Sequence, residues 1–178
     1  MLAAAGQLLE KKGIEALSLR EAARRAGVSH AAPYRHFRDR EALLAALAAE
    51  GFRMFRERLE TAERSGGLRA RGEAYIAFAL AHPQRFRLMF GSGISLAGSA
   101  DLREQAGRAF GGLERAIAAH AGQDAPHAAI AAWALVHGLS HLLLDQKLAG
   151  ATRDPAQVQE FVRAVLGSIR FSIAQVPA

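Results

Sequence analysis

The stretch Leu17–Leu47, LSLREAARRAGVSHAAPYRHFRDREALLAAL, decides the fold of this chain. Ser18-Leu19-Arg20-Glu21 fits a capping box, in which the serine hydroxyl accepts from a free amide at a helix start and the glutamate reaches back to the cap. Gly27 closes that helix, because glycine adopts the left-handed backbone of a helix end without steric cost. Ser29 then caps a third helix, and a first one is predicted over 2–12, stopped by Gly13. Two helices joined by a short glycine-containing turn form a helix-turn-helix pattern.

The third helix carries Pro33. Counted from Ser29 as N-cap, the proline is the fourth helical position, so one intrahelical bond is lost and the helix is expected to survive with a loosened first turn. His30, Ala31 and Ala32 fall at its N-terminal tip, where small side chains permit close approach and free amides favour a phosphate. Tyr34, Arg35 and His36 add hydrogen-bond donors, and Phe37 anchors the helix. Between Arg20 and Arg40, six arginines face only Glu21 and Asp39, a local excess of positive charge. Each residue taken alone reads as part of a solvated helix; their coincidence points to a surface that meets nucleic acid.

Working outward, the 178 residues are 51% hydrophobic and 22% charged, with alanine and leucine dominant and β-branched residues sparse. That composition favours an all-α protein of about nine helices, large enough for a small head on a bigger body. The absence of cysteine excludes disulfide frameworks, thiolate metal sites and cysteine nucleophiles, and suits a reducing cytoplasm. Lys11 and Lys12 follow the first apolar stretch rather than precede it, unlike a secretory signal. The longest apolar run, 128–144, is interrupted by His137, Gly138, Ser140 and His141 and reads as a buried helix rather than a membrane span.

Asp39 is placed to cap a long fourth helix with a stripe of Leu43, Leu47, Phe55 and Leu59, broken at Ser65-Gly66-Gly67. Further helices are predicted over 68–81, 83–90, 99–120, 126–148 and 155–174. The expected domains are a three-helix DNA-binding head, 1–45, and a helical ligand-binding and dimerisation body, 46–178.

The body shows no acid pair at catalytic spacing, no glycine-rich phosphate loop and no nucleophile elbow, so no enzyme and no cofactor are expected. Phe78, Phe86, Met89, Phe90, Phe110 and Trp133 read singly as helix core. Joined by His82 and His137, they also suit a small-molecule pocket among helices. Leu135, Leu139, Leu142 and Leu143 form one apolar stripe, and Phe161, Val165, Leu166 and Ile169 form another. These stripes either pack inside one subunit or meet their copies in a four-helix bundle, and the bundle is preferred because one short reading helix yields little affinity. His137, His141 and Asp145 stand four apart, but a straight row of this kind rarely converges on one ion, so no metal is expected.

The quoted stretch closely resembles the N-terminal domain of the tetracycline-repressor (TetR) family of transcription regulators, over about residues 1–50. HPQRFRLMF, from His82, and WALVHGLSHLLLDQKL, from Trp133, resemble the C-terminal regulatory domain of the branch named for its Trp, His and Gly motif, matched by Trp133, His137 and Gly138. The resemblance implies that the third helix enters the major groove, with Tyr34, His36 and Arg40 on phosphates and Ser18 and Ser29 presenting capped helix ends. His30, Ala31, Ala32 and Arg35 would face base edges. It further implies an inducer-binding domain of unknown ligand with the last two helices forming the dimer interface. The leading reading is therefore a cytoplasmic homodimer that a small-molecule effector releases from a palindromic double-stranded DNA operator. The rival reading is a helical small-molecule-binding or catalytic protein whose N-terminal hairpin is only structural.

Overall fold

Residues 1–91, 96–121, 125–148 and 154–168 are described in a computed structural model. Their regular elements are helical throughout: α1 (Leu2–Lys12), α2 (Leu19–Ala26), α3 (Arg40–Ala81), α4 (Pro83–Phe90), α5 (Ala100–Ala121), α6 (Ala125–Leu144) and α7 (Pro155–Ser168), with 3₁₀ turns at Ala32–Arg35 and Leu96–Gly98.

Most boundaries follow from local chemistry. Ser18 Oγ accepts from the Glu21 amide at 3.1 Å, and Gly27 closes α2 at φ 69°. The Glu21 carboxylate does not complete the capping box. It takes the Arg24 guanidinium at 2.8 and 2.6 Å, a charge-assisted fork stronger than a bond to a neutral amide. That bond, more than any other influence, holds the Glu21 carboxyl at about 2. Asp39 Oδ1 accepts from the Ala42 amide at 2.8 Å and opens α3.

The third helix departs from expectation. Among the described residues it is a single 3₁₀ turn, Ala32–Arg35, whose cap is Ala31, and the Ser29 side chain makes no capping bond. The reason lies in the missing amide of Pro33, which would close an α-turn on the Ser29 carbonyl. The Ala32 amide closes a tighter turn there instead, at 3.0 Å. Proline then sits in the first turn, where its preset φ is tolerated.

α3 is likewise not straight. Gly66 and Gly67 leave helical geometry, Gly67 at φ 66°, and divide the helix into segments 40–65 and 68–81. The chain forms two compact units, Met1–Phe55 with Ala81–Ala109, and Arg56–Leu80 with Phe110–Ala178. The first buries Leu8, Leu9, Leu17, Leu43, Leu47 and Phe86. The second has one core cluster of Ile117, Ala125, Ala129 and Ala132, and another of Ile76, Leu139 and Val162.

α6 is not the buried helix its apolar run suggests. Only 22% of its most apolar 18-residue window is buried within the chain, although by length and composition alone it is able to cross a membrane. Ala129, Ala132 and Leu139 turn inward, while Ile130, Ala134, Gly138 and Leu142 face out. Periodicity reveals that a helix is apolar; it does not reveal which of its faces acquires a neighbour.

Candidate functional site

In the head, α1 packs on α2, and α2 packs on the 3₁₀ turn. Pro33 is buried beneath that turn, so the residues following it are turned outward: Tyr34 is 54% exposed, and Arg35 and His36 are exposed beside it. Ser29, His30 and Ala31 are exposed at the start of the segment, with Ala32 half-buried. Arg20, Arg24 and Arg25 are exposed on α2 and its opening turn. The result is a small cationic projection with hydroxyl, imidazole and guanidinium donors, held from below by an apolar proline.

Ser18 and Arg40 have different surroundings. Ser18 is exposed, but its oxygen already receives the Glu21 amide. Arg40 donates from Nε to the Leu17 carbonyl at 2.7 Å and from Nη2 to the Ile14 carbonyl at 2.6 Å. It thereby ties the connection between α1 and α2 to the start of α3. Sequence reasoning missed this clamp because backbone carbonyls are present at every residue and carry no side-chain signal.

The side chains expected to line an effector pocket divide between the units. His82, Phe86, Met89 and Phe90 belong to the first, and Phe78, Phe110, Trp133 and His137 to the second. In the first unit, the Phe90 ring lies 4.8 Å from Phe86 and meets Phe52 and Phe55 edge-on at 5.3 and 6.0 Å. Met89 is seated over Gly51, where an added Cβ would stand 2.7 Å from its sulfur.

In the second unit, polar and aromatic groups converge. Trp133 Nε1 donates to the Tyr75 hydroxyl at 3.2 Å, and that hydroxyl lies 2.8 Å from His137 Nδ1. An indole N–H can only donate, so the Tyr75 oxygen accepts from Trp133, while the donor between Tyr75 and His137 Nδ1 follows the imidazole tautomer. Burial, with a smaller contribution from His141, lowers the His137 pKa, which favours the neutral ring. Burial pushes the Tyr75 phenol up and keeps it protonated. Phe110 stands 5.7 Å from the Trp133 ring, and His141 4.7 Å from the His137 ring. The partnership of Tyr75 with His137 joins residues 62 positions apart and carries no mark in the sequence.

Of the stripes expected at a dimer face, Leu139 is buried with Ile76 and Val162, and Leu143, Val165 and Leu166 pack partly buried against them. Leu135 is half-buried, Leu142 is 42% and Phe161 37% exposed, and Ile169 lies outside the described residues.

A family model described as bacterial regulatory proteins of the tetR family matches residues 1–47, and one described as a tetracyclin repressor-like C-terminal domain matches residues 68–167. No curated protein is significantly similar in sequence. Among solved structures, a protein with unknown function from Rhodococcus sp. RHA1 is 39% identical, over 93% of this chain and 89% of its own, with a TM-score of 0.78. The TetR family transcriptional regulator PfmR from Thermus thermophilus is 21% identical over 93% of this chain and 94% of its own, with a TM-score of 0.65. A TetR variant from Acinetobacter baumannii AYE, in complex with minocycline, is 24% identical over 94% and 90%, with a TM-score of 0.61. The last two likenesses concern the fold.

Proposed function

Because the chain belongs to the TetR family of bacterial regulatory proteins, as its two family matches show, we propose that it is a homodimeric repressor which a small, largely apolar effector releases from a palindromic DNA operator. A ligand-responsive, DNA-binding transcriptional regulator is what this family membership makes it, and its reading surface carries the finer proposal. The supporting observation is the outward projection of Tyr34, Arg35 and His36 above a buried Pro33.

In this reading Tyr34 and His36 hold phosphates, aided by Ser18 and Ser29, while His30, Ala31, Ala32 and Arg35 meet base edges. Arg40 acts chiefly by shaping the head, since two of its donors are engaged on carbonyls. One short turn covers few base pairs, so a second copy is required. The uncovered apolar face of α6 and α7, with Ile130, Leu142 and Phe161, supports a twofold partner there. The two reading turns would then meet major grooves roughly 34–36 Å apart.

The Trp133–Tyr75–His137 group, with Phe110, is the favoured effector site, apolar rings around a few hydrogen-bonding atoms. An effector releases DNA only if it binds the non-reading arrangement more tightly. Work in the cytoplasm and a non-enzymatic role accompany this reading.

Selection of duplexes from a random pool, followed by titration at several salt concentrations, is the decisive experiment. The expected result is a palindromic consensus whose affinity falls steeply with salt. A chain that enriches no duplex would end the proposal.

A further inference from the structure

We propose that Arg85 is a positioning residue for DNA reading: it links α4 to α1 and α3 through two carboxylates, and opening or closing of its contact with Glu10 transmits movement of α4 to the head. The proposal rests on the regulatory function above and adds the residue through which regulation passes.

Arg85 is 6% exposed, and a guanidinium is seldom buried without partners. Its Nη1 donates to Glu50 Oε2 of α3 at 2.8 Å, and to the Leu47 carbonyl at 3.4 Å. Its Nε lies 3.8 Å from Glu10 Oε1 of α1, an ion pair beyond hydrogen-bond distance, and His82 Nδ1 is 3.8 Å from the same oxygen. Glu10 Oε1 and Arg85 Nε are both buried without a hydrogen-bond partner among the described residues. The contact to α3 is complete and the contact to α1 is open. A shift of about 1 Å brings Nε and Oε1 within hydrogen-bonding range.

Two glycines make room for this side chain. A Cβ at Gly6 of α1 would stand 2.6 Å from Arg85 Nη2, and one at Gly51 of α3 would stand 3.1 Å from its Cγ. Glycine inside a helix is unfavourable, yet both helices carry one where α4 approaches. From here the packing leads directly to the reading surface: α4 lies on α1, α1 on α2, and α2 on the turn that bears Tyr34 and Arg35. At its N-terminal end, the end nearer Arg85, α4 is joined through Ala81 and His82 to segment 68–81, which carries Tyr75. Displacement of that segment therefore pulls on α4 through the backbone and alters the separation of Arg85 Nε from Glu10.

The test uses the full chain with its selected duplex, and compares Glu10→Gln, Arg85→Lys and the double variant, with Arg108→Ala as a control in an exposed ion pair on α5. Duplex affinity, its salt slope, thermal melting and hydrogen exchange in α1 and α2 are measured. Glu10→Gln is expected to change affinity about tenfold while leaving the salt slope and most of the melting temperature unchanged, because no phosphate contact is lost. Exchange in α1 and α2 should change with it, and the double variant should be no worse than the more affected single one. Wild-type affinity in Glu10→Gln, additive single effects, or an affinity loss that merely follows the unfolded fraction would each overturn the proposal. If Arg85→Lys fails to fold, Glu10→Gln decides alone. An unaltered chain that binds no duplex removes the regulatory function itself, whereas normal binding with an indifferent Glu10→Gln removes only the role of Arg85.

Discussion

The Tyr75 hydroxyl lies 2.8 Å from His137 Nδ1, joining the second segment of α3 to α6 across 62 residues of sequence. Because Trp133 Nε1 also donates to that hydroxyl, one phenolic oxygen serves two groups of α6. Tyr75→Phe keeps the ring and removes both bonds. The expected loss is about 1–3 kcal/mol, seen as a lower urea midpoint with an unchanged m-value. A loss below about 0.5 kcal/mol would show that the bonds add nothing beyond ring packing.

His137 gives the second unit a pH dependence of defined sign. Its folded pKa is lowered from 6.5 by burial and, secondarily, by His141, so the unfolded chain takes up the proton first. Its contribution to stability is therefore full above that value, falls as pH drops below it, and levels off once the folded ring is protonated too. Urea midpoints measured from about pH 8 to pH 5 should show this decline, and His137→Gln should flatten it. The Glu21 carboxyl acts in a separate window below its ordinary value of 4.5, because it is held at about 2.

Arg40 separates a clamp from a phosphate contact. Arg40→Ala releases the Ile14 and Leu17 carbonyls, and should cost the head about 1–2 kcal/mol and speed amide exchange near the start of α2. Arg40→Lys should recover only part of this, since an ammonium cannot reproduce a two-pronged fork. Operator affinity should fall with the salt slope unchanged. A slope reduced by about one would assign Arg40 to a phosphate instead.

Tyr34 and Arg35 should matter to DNA and little to folding. Both are exposed, so Tyr34→Phe and Arg35→Ala should each move stability by less than about 0.5 kcal/mol. Competition binding should show Tyr34→Phe weakening all duplexes alike. Arg35→Ala should relax preference at one base pair by about 1–3 kcal/mol. Uniform weakening by Arg35→Ala would move that residue to the phosphates.

Leu142→Glu and Phe161→Glu place charge on the uncovered face of α6 and α7 without entering the inner cluster of Ile76, Leu139 and Val162. Sedimentation should find each variant monomeric with unchanged helix content and weakened operator binding. Dimers that survive both changes would locate the interface elsewhere.

The boundaries read correctly from sequence are those governed by atoms within about four residues of one another, such as a cap and the amide it receives. Ser18, Gly27, Asp39 and Gly66-Gly67 are of this kind. The third helix was misjudged at the same range, where a serine favouring a helix start met a proline lacking the amide to close it. Local signals compete there, and the missing hydrogen bond prevails.

Composition, caps and glycines thus determined on their own that this is an all-helical chain with a helix-turn-helix head, because helix propensity and capping act along the backbone. Only the tertiary structure decided that Arg40 holds two carbonyls, that Tyr75 joins Trp133 to His137, and that Arg85 stands between Glu50 and Glu10. Those pairings depend on which helix faces meet. Burial selects among faces by packing the whole chain at once, and residues 23 or 62 positions apart leave no mark on one another's local sequence.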